Sequence, residues 1–322
     1  MKFRRGPVIS TSSVMARSIV IAILIAIVSL QTPRGASAQD DILTPDQSSA
    51  KAQKILQQAI AGLGGPAYLN VKDITIEAHF SQFDHGGESH GTVKILDIAI
   101  PPDKDRTENL PKRNIIEVKN GDKGWVLDRG GVSEADQVSV ATFQEELKVD
   151  IDNVLRDRWK EQGTILRYLG PDVVDLKESD WIEIVDSENR SIRIAFAKST
   201  HLPLRKVVVT RDPSTRMRSE TTEYYSNYHP IGGVTQPFQV TRERNGQKIY
   251  QVFIEECKFN TNPADSFFSK ESLDERWAQV GKKTIKKQEK QKQKQEQSDK
   301  DEQKNDDKEK SGSSSSSSSS SN

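Results

Sequence analysis

The stretch WIEIVDSENRSIRIAF, residues 181–196, decides the fold class. Ile182 and Ile184 fall on one side of an extended chain, with Trp181, Glu183 and Val185 on the other. After a turn at Ser187-Glu188-Asn189, Ile192, Ile194 and Phe196 alternate with Arg193 and Ala195. A period of two is the mark of a strand with one buried face, and the polar break between the two runs makes them a hairpin.

The same pattern extends outward in both directions. Leu204 to Thr210, Glu220 to Tyr228, Pro237 to Arg242 and Lys248 to Phe259 read as strands, separated by Asp212-Pro213, Gly232-Gly233 and Asn245-Gly246. Upstream, Ile74, Ile76, Ala78 and Phe80 alternate with polar residues, and Val93 and Ile95 continue the pattern. Arg113 to Val118 and Trp125 to Asp128 flank the turn Asn120-Gly121-Asp122-Lys123-Gly124. Two segments keep helical spacing instead. Ala52, Ile55, Leu56, Ala59, Ile60 and Leu63 form one apolar face, capped by Ser48 or Ser49 and stopped by Gly64-Gly65-Pro66. Phe143, Leu147, Ile151, Val154, Leu155 and Trp159 form another within residues 134–162.

About ten strands with no strand–helix–strand alternation predict an α+β chain, mostly antiparallel β, in one strongly curved sheet with two or three helices over one face or mouth. Such a sheet can enclose an apolar cavity. Its expected lining is Ile76, Phe80, Ile95, Ile116, Val118, Ile182, Ile184, Ile192, Ile194 and Phe196, with Leu56, Ile60 and Leu63 on the covering helix. A simply filled core satisfies the same pattern.

The ends read differently. Lys2, Arg4, Arg5 and Arg17 precede an uncharged aliphatic run from Ile19 to Leu30, then Pro33 and the small-x-small sequence Ala36-Ser37-Ala38. This predicts a signal peptide over 1–38, cleaved after Ala38, and a domain over 39–281 exported to the periplasm. The single cysteine, Cys257, lies far from that site, so neither a lipid anchor there nor an internal disulfide is expected. Residues 282–322 are Lys, Gln, Glu and Asp followed by a serine run, with almost no apolar area to offset the entropy of ordering; a disordered tail is expected.

The whole chain has 47 basic and 47 acidic residues, and the first 38 hold five basic and no acidic ones. The remaining 42 against 47 recommend no nucleic-acid partner. His79, His85 and His90 match no zinc spacing, and no nucleophile elbow or phosphate-cradling glycine loop is present. Neither metal, cofactor nor catalytic residue is expected, and the chain reads as a non-enzyme and a monomer.

The order of motifs resembles a known family. Phe80-x-Gln82 ends an early strand and Asn120-Gly121-Asp122-x-Gly124-Trp125 makes a hairpin. Ser199-Thr200-His201-Leu202-Pro203-Leu204-Arg205, Tyr224-Tyr225-Ser226-Asn227-Tyr228 and Gly232-Gly233-Val234-x-x-Pro237 follow, with a closing strand to Phe259-Asn260. Over residues 50–268 this looks like the LolA-like and LolB-like superfamily of periplasmic outer-membrane lipoprotein carriers. The resemblance implies an unclosed, half β-barrel with a helical lid over an apolar cavity, carrying a lipid or lipoprotein acyl chain without chemistry. Hiding each methylene from water is worth about 0.8 kcal/mol, so an acyl chain needs such a container. Carriers of this family place an arginine directly before a proline to tie the lid to the barrel. Here the corresponding stretch is Ile100-Pro101-Pro102, and Arg106 is the candidate tether. The departure favours a divergent member with another apolar cargo. The rival reading is an exported adaptor with a filled core, whose tail contacts an envelope protein or the cell wall.

Overall fold

The computed structural model describes residues 43–211 and 217–279. The expected signal peptide over 1–38 and the expected tail over 282–322 lie outside the described residues.

Helix α1 (Pro45–Leu63) buries Ala52, Ile55, Leu56, Ala59, Ile60 and Leu63, the face its spacing predicts. It starts at Pro45, ahead of the two serines expected to cap it. Gly64 and Gly65 stop it in positive-φ conformations, with the Gly65 N–H donating to the Ile60 carbonyl at 2.8 Å. A Cβ on Gly64 would stand 2.2 Å from the Gly233 carbonyl oxygen, so close packing as well as conformation requires glycine there. The short helix α2 (Pro66–Leu69) follows.

Among the described residues thirteen strands form one antiparallel sheet. They are β1 (Ile74–Phe83), β2 (Ser89–Ile100), β3 (Lys104–Asn109), β4 (Ile116–Asn120), β5 (Lys123–Asp128) and β6 (Gly131–Glu134), then β7 (Ile165–Val174), β8 (Lys177–Val185), β9 (Ser191–Ala197), β10 (Pro203–Arg211), β11 (Arg218–Ile231), β12 (Val234–Arg244) and β13 (Gln247–Phe259). Three of these, β3, β6 and β7, were not expected. The spatial order is β6-β5-β4-β3-β2-β1-β13-β12-β11-β10-β9-β8-β7. The two half-sheets are joined where β1 pairs with β13, and the free edges are β6 and β7. The chain passes from one free edge to the other through α3 (Gln137–Val149) and α4 (Ile151–Arg156). The single helical segment expected over 134–162 is therefore two helices, broken at Asp150, and a 3₁₀ turn over Arg158–Lys160.

The sheet bends around α1, which touches β7, β8 and β12. With neighbouring strands about 4.8 Å apart, a flat sheet would hold β5 and β10 roughly 38 Å apart. Yet Val140 packs on Gly124 of β5, and the Val149 carbonyl, only about 14 Å further along the same helix, accepts from Lys206 of β10. Lys206 pairs with Ile194 on the face under α1. The face under α1 is therefore concave.

Register then assigns every side chain to a face, because directly paired residues point the same way. Glu117 and Lys119 lie under α3, where Ser139 donates to Glu117 at 3.5 Å and the Lys119 ammonium lies 5.3 Å from the Phe143 ring centre. Ile116, Val118 and Asn120 alternate with them and face the opposite side, where the Asn120 amide donates to the Phe268 carbonyl at 3.2 Å. A 3₁₀ turn (Asp265–Phe268) and a helix over 270–279, here α5, cover that convex side of β2–β5.

Candidate functional site

The concave face divides into three zones. Under α1, Ile182, Ile184, Ile192, Ile194 and Phe196 pack directly against Leu56, Ile60 and Leu63 in one buried cluster. None of these five sheet residues is more than 2% exposed, so this zone is sealed.

The second zone lies under α3. Asp136 caps this helix, accepting the Val138 N–H at 2.8 Å. Its first turn sits tightly on β5, since a Cβ on Gly124 would come within 2.9 Å of the Ala135 Cβ and 3.1 Å of a Val140 methyl. Beyond that turn the helix bridges open space, and none of its residues is buried. A cavity of about 720 Å³ separates it from β10–β12, lined by Val138, Ala141, Val149 and Val208 and by Lys206 and Arg242. That is ample for a small ligand. Polar contacts hold the helix across the gap. Arg242 meets Glu146 at 2.6 Å, Arg190 meets Glu145 at 3.1 Å, and the Lys206 ammonium donates to the Val149 carbonyl at 2.8 Å.

The floor of this zone is ionic, against the expectation of an almost wholly apolar inward set. Glu223 accepts from Lys206 at 2.7 Å, from Arg242 at 2.7 Å and from the Tyr225 hydroxyl. Burial pushes the Glu223 carboxyl upward, but the charges of Lys206 and Arg242 outweigh it and hold the group down at about 2. Asp150, where α3 gives way to α4, is pushed up to about 6 by burial and by Asp152. On the other side of α3 a cavity of about 360 Å³ exposes Asp97 and Asp105, whose carboxyls burial raises.

The third zone is the concave face of β1, β2, β12 and β13. Ile76, Phe80 and Ile95 lie here with Val240, Val252 and Ile254, all half-buried and outside the packed hydrophobic clusters. Phe80 packs on Tyr250 with ring centres 5.6 Å apart, and the Arg242 guanidinium lies 5.0 Å from the Tyr250 ring centre. The apolar strip is thus continuous with the ionic floor.

No family model and no curated protein matches the chain. Solved structures do. A DUF1329 family protein of Desulfovibrio piger superposes with a TM-score of 0.50 at 15% identity, over 69% of this chain and 98% of that one. A LolA superfamily protein of Nitrosomonas europaea superposes with a TM-score of 0.45 at 14% identity, over 69% and 99%. The fold is that of the DUF1329 family protein.

Within this half-barrel the expected lining residues separate. Ile76, Phe80 and Ile95 share the open strip, whereas Ile182, Ile184, Ile192, Ile194 and Phe196 share the sealed core. Ile116 and Val118 do not belong to the concave face at all. They pack on the convex side with Leu96, Ile98, Leu127, Phe268 and Leu273, because each stands one residue out of phase with Glu117 and Lys119.

Arg106 is likewise on the convex side. It donates to Glu108 at 2.7 Å, to the Phe267 carbonyl at 2.7 Å and to Ser272 at 2.9 Å, so it ties down α5 rather than a helix over the cavity. Trp125 joins the same convex core, and Trp181 borders a small cluster of Val174, Ala195, Ala197 and Leu204. Burial, followed by Asp152, pushes the Cys257 thiol up to about 12, which leaves it protonated and unreactive. Among the described residues no helix is long and apolar enough to cross a membrane.

Sequence reasoning missed Lys206, Glu223 and Arg242. Each sits in a strand that alternates normally, and a charged residue on the inward phase was the only available signal.

Proposed function

We propose that this protein is an exported carrier that shelters an acyl chain or lipid in the concave face of its half-barrel, without performing chemistry. The observation that carries this reading is the contrast between the two ends of that face. α1 seals β7–β9 completely, whereas Ile76, Phe80 and Ile95 remain half-buried beside a cavity spanned by a helix with no buried residue. A fold that only needed a core would bury its apolar strip as it buries Ile194. The motif resemblance to periplasmic carriers and the signal-like sequence ahead of Gln39 support a periplasmic setting.

The experiment is native mass spectrometry of the protein purified from the periplasm without detergent, followed by lipid extraction and titration with a fluorescent fatty acid. A bound mass that extracts as an acyl compound is the expected result. A bare protein mass, together with no response to the fatty acid, would mean the concave face is closed. The protein would then be a filled-core adaptor.

A further inference from the structure

On the strand wall beneath α3 cations outnumber anions: Lys206, Arg242 and Arg244 stand against Glu223. Lys206 and Arg242, with side chains 2% and 14% exposed, share one buried carboxylate, Glu223. The balancing anion on Arg242 is Glu146, which belongs to α3 and is 46% exposed. Asp150, also near Lys206, is held up at about 6 by burial and is still mostly ionised at neutrality, so it offsets Lys206. Arg244 adds a further cation at the rim of the same cavity. Without Glu146, Lys206, Arg242 and Arg244 on the strand wall face only Glu223 and Asp150, and the one unmatched positive charge favours an anion. When α3 lifts, Glu146 leaves with it and that excess faces the cavity.

Resting on the carrier reading above, we infer that the cargo is an anionic amphiphile. Its phosphate or carboxylate replaces Glu146 on Arg242, and its chain runs from there along the open strip of Phe80, Val240 and Val252. Cargo and α3 then compete for one guanidinium, so occupancy releases the helix. A neutral or cationic head group leaves Arg242 with Glu146 and gains nothing there.

Delipidated protein titrated by calorimetry with dodecyl phosphate, dodecanoate, dodecyl maltoside and dodecyltrimethylammonium tests this. The two anionic probes should bind about tenfold tighter than the maltoside, the worth of one hydrogen-bonded charge contact, and should lose that advantage in high salt. Their relative affinities separate a phosphate-bearing lipid from a free fatty acid. Glu146→Gln removes the competitor at a half-exposed position and should tighten anion binding selectively. Arg242→Gln, which leaves Lys206 with Glu223 one to one, should bring the anionic-to-neutral affinity ratio toward one. Equal affinity for all four probes, or no gain in Glu146→Gln, would overturn the anionic assignment and leave the carrier standing. No binding of any probe would overturn both.

Discussion

The Ser48 hydroxyl accepts the main-chain N–H of Tyr168 at 2.9 Å, fastening the first turns of α1 to β7, a free edge of the sheet. Lys51, one turn further on, places its ammonium 3.6 Å from the Tyr168 ring centre. An open edge invites pairing with another chain, and a side chain on its outward N–H blunts it. Ser48→Ala should lower the unfolding free energy by about 1 kcal/mol and raise the rate of concentration-dependent aggregation. Urea unfolding and light scattering check both, and a variant indistinguishable from wild type would show that the contact does not guard the edge.

Arg106 predicts a larger effect. It is 3% exposed and serves Glu108, the Phe267 carbonyl and Ser272 together. Removing one partner of a buried pair leaves the other charge unmatched, so Arg106→Met should cost about 3–5 kcal/mol. The loss should be local first, with limited proteolysis cutting within 265–279 before the sheet. Simultaneous loss of all regions would contradict a role confined to α5.

The pH dependence has two opposite limbs. Glu223 titrates at about 2, below its ordinary 4.5, so the folded state binds fewer protons, and this stability is lost as pH falls from 4.5 toward 2. Asp150 titrates at about 6, above its ordinary 3.8, so its contribution is full below 3.8 and lost as pH rises through 6. Asp150→Asn keeps a cap for α4 and should make the protein more stable than wild type above pH 6. Glu223→Gln should flatten the acid limb and cost about 3–5 kcal/mol at pH 7. Urea denaturation across pH 3–8 gives both, and parallel curves for all three proteins would dismiss the assignment.

Two lining substitutions should behave differently. Ile194 is fully buried in the sealed core, so Ile194→Asp should cost more than about 4 kcal/mol and report on folding alone. Phe80 is half-buried on the open strip, and Phe80→Asp should keep a cooperative melting transition while fatty-acid affinity falls about tenfold or more. A folded Phe80→Asp protein with full uptake would remove β1 from the site.

The sheet was legible where one face of a strand is apolar, as in 181–196. β3 was not, because Lys104–Asn109 carries no apolar side chain. Its Arg106 and Glu108 are buried by pairing with each other, and its Asp105 faces the cavity under α3. β7 was lost because a bulge at Leu169, between Tyr168 and Gly170, shifts its register on β8 and breaks the period of two. The hairpin around Gly121 was clear, yet which face of its strands met the cavity was not. Period-two alternation names a buried face without saying what covers it, so Ile116 and Val118 under α5 looked the same as Ile182 and Ile184 under α1.

The chain joins the two free edges of the sheet, β6 and β7, through α3 and α4. A barrel that closed its seam would have hydrogen bonds there; this one has a tether. Its slack is fixed by covalent geometry at both ends, so prising the edges apart draws α3 taut across the mouth, and bringing them together lets it bow outward. The spacing of the two edges and the course of α3 are therefore linked through the covalent chain, and a change in one has to be taken up by the other.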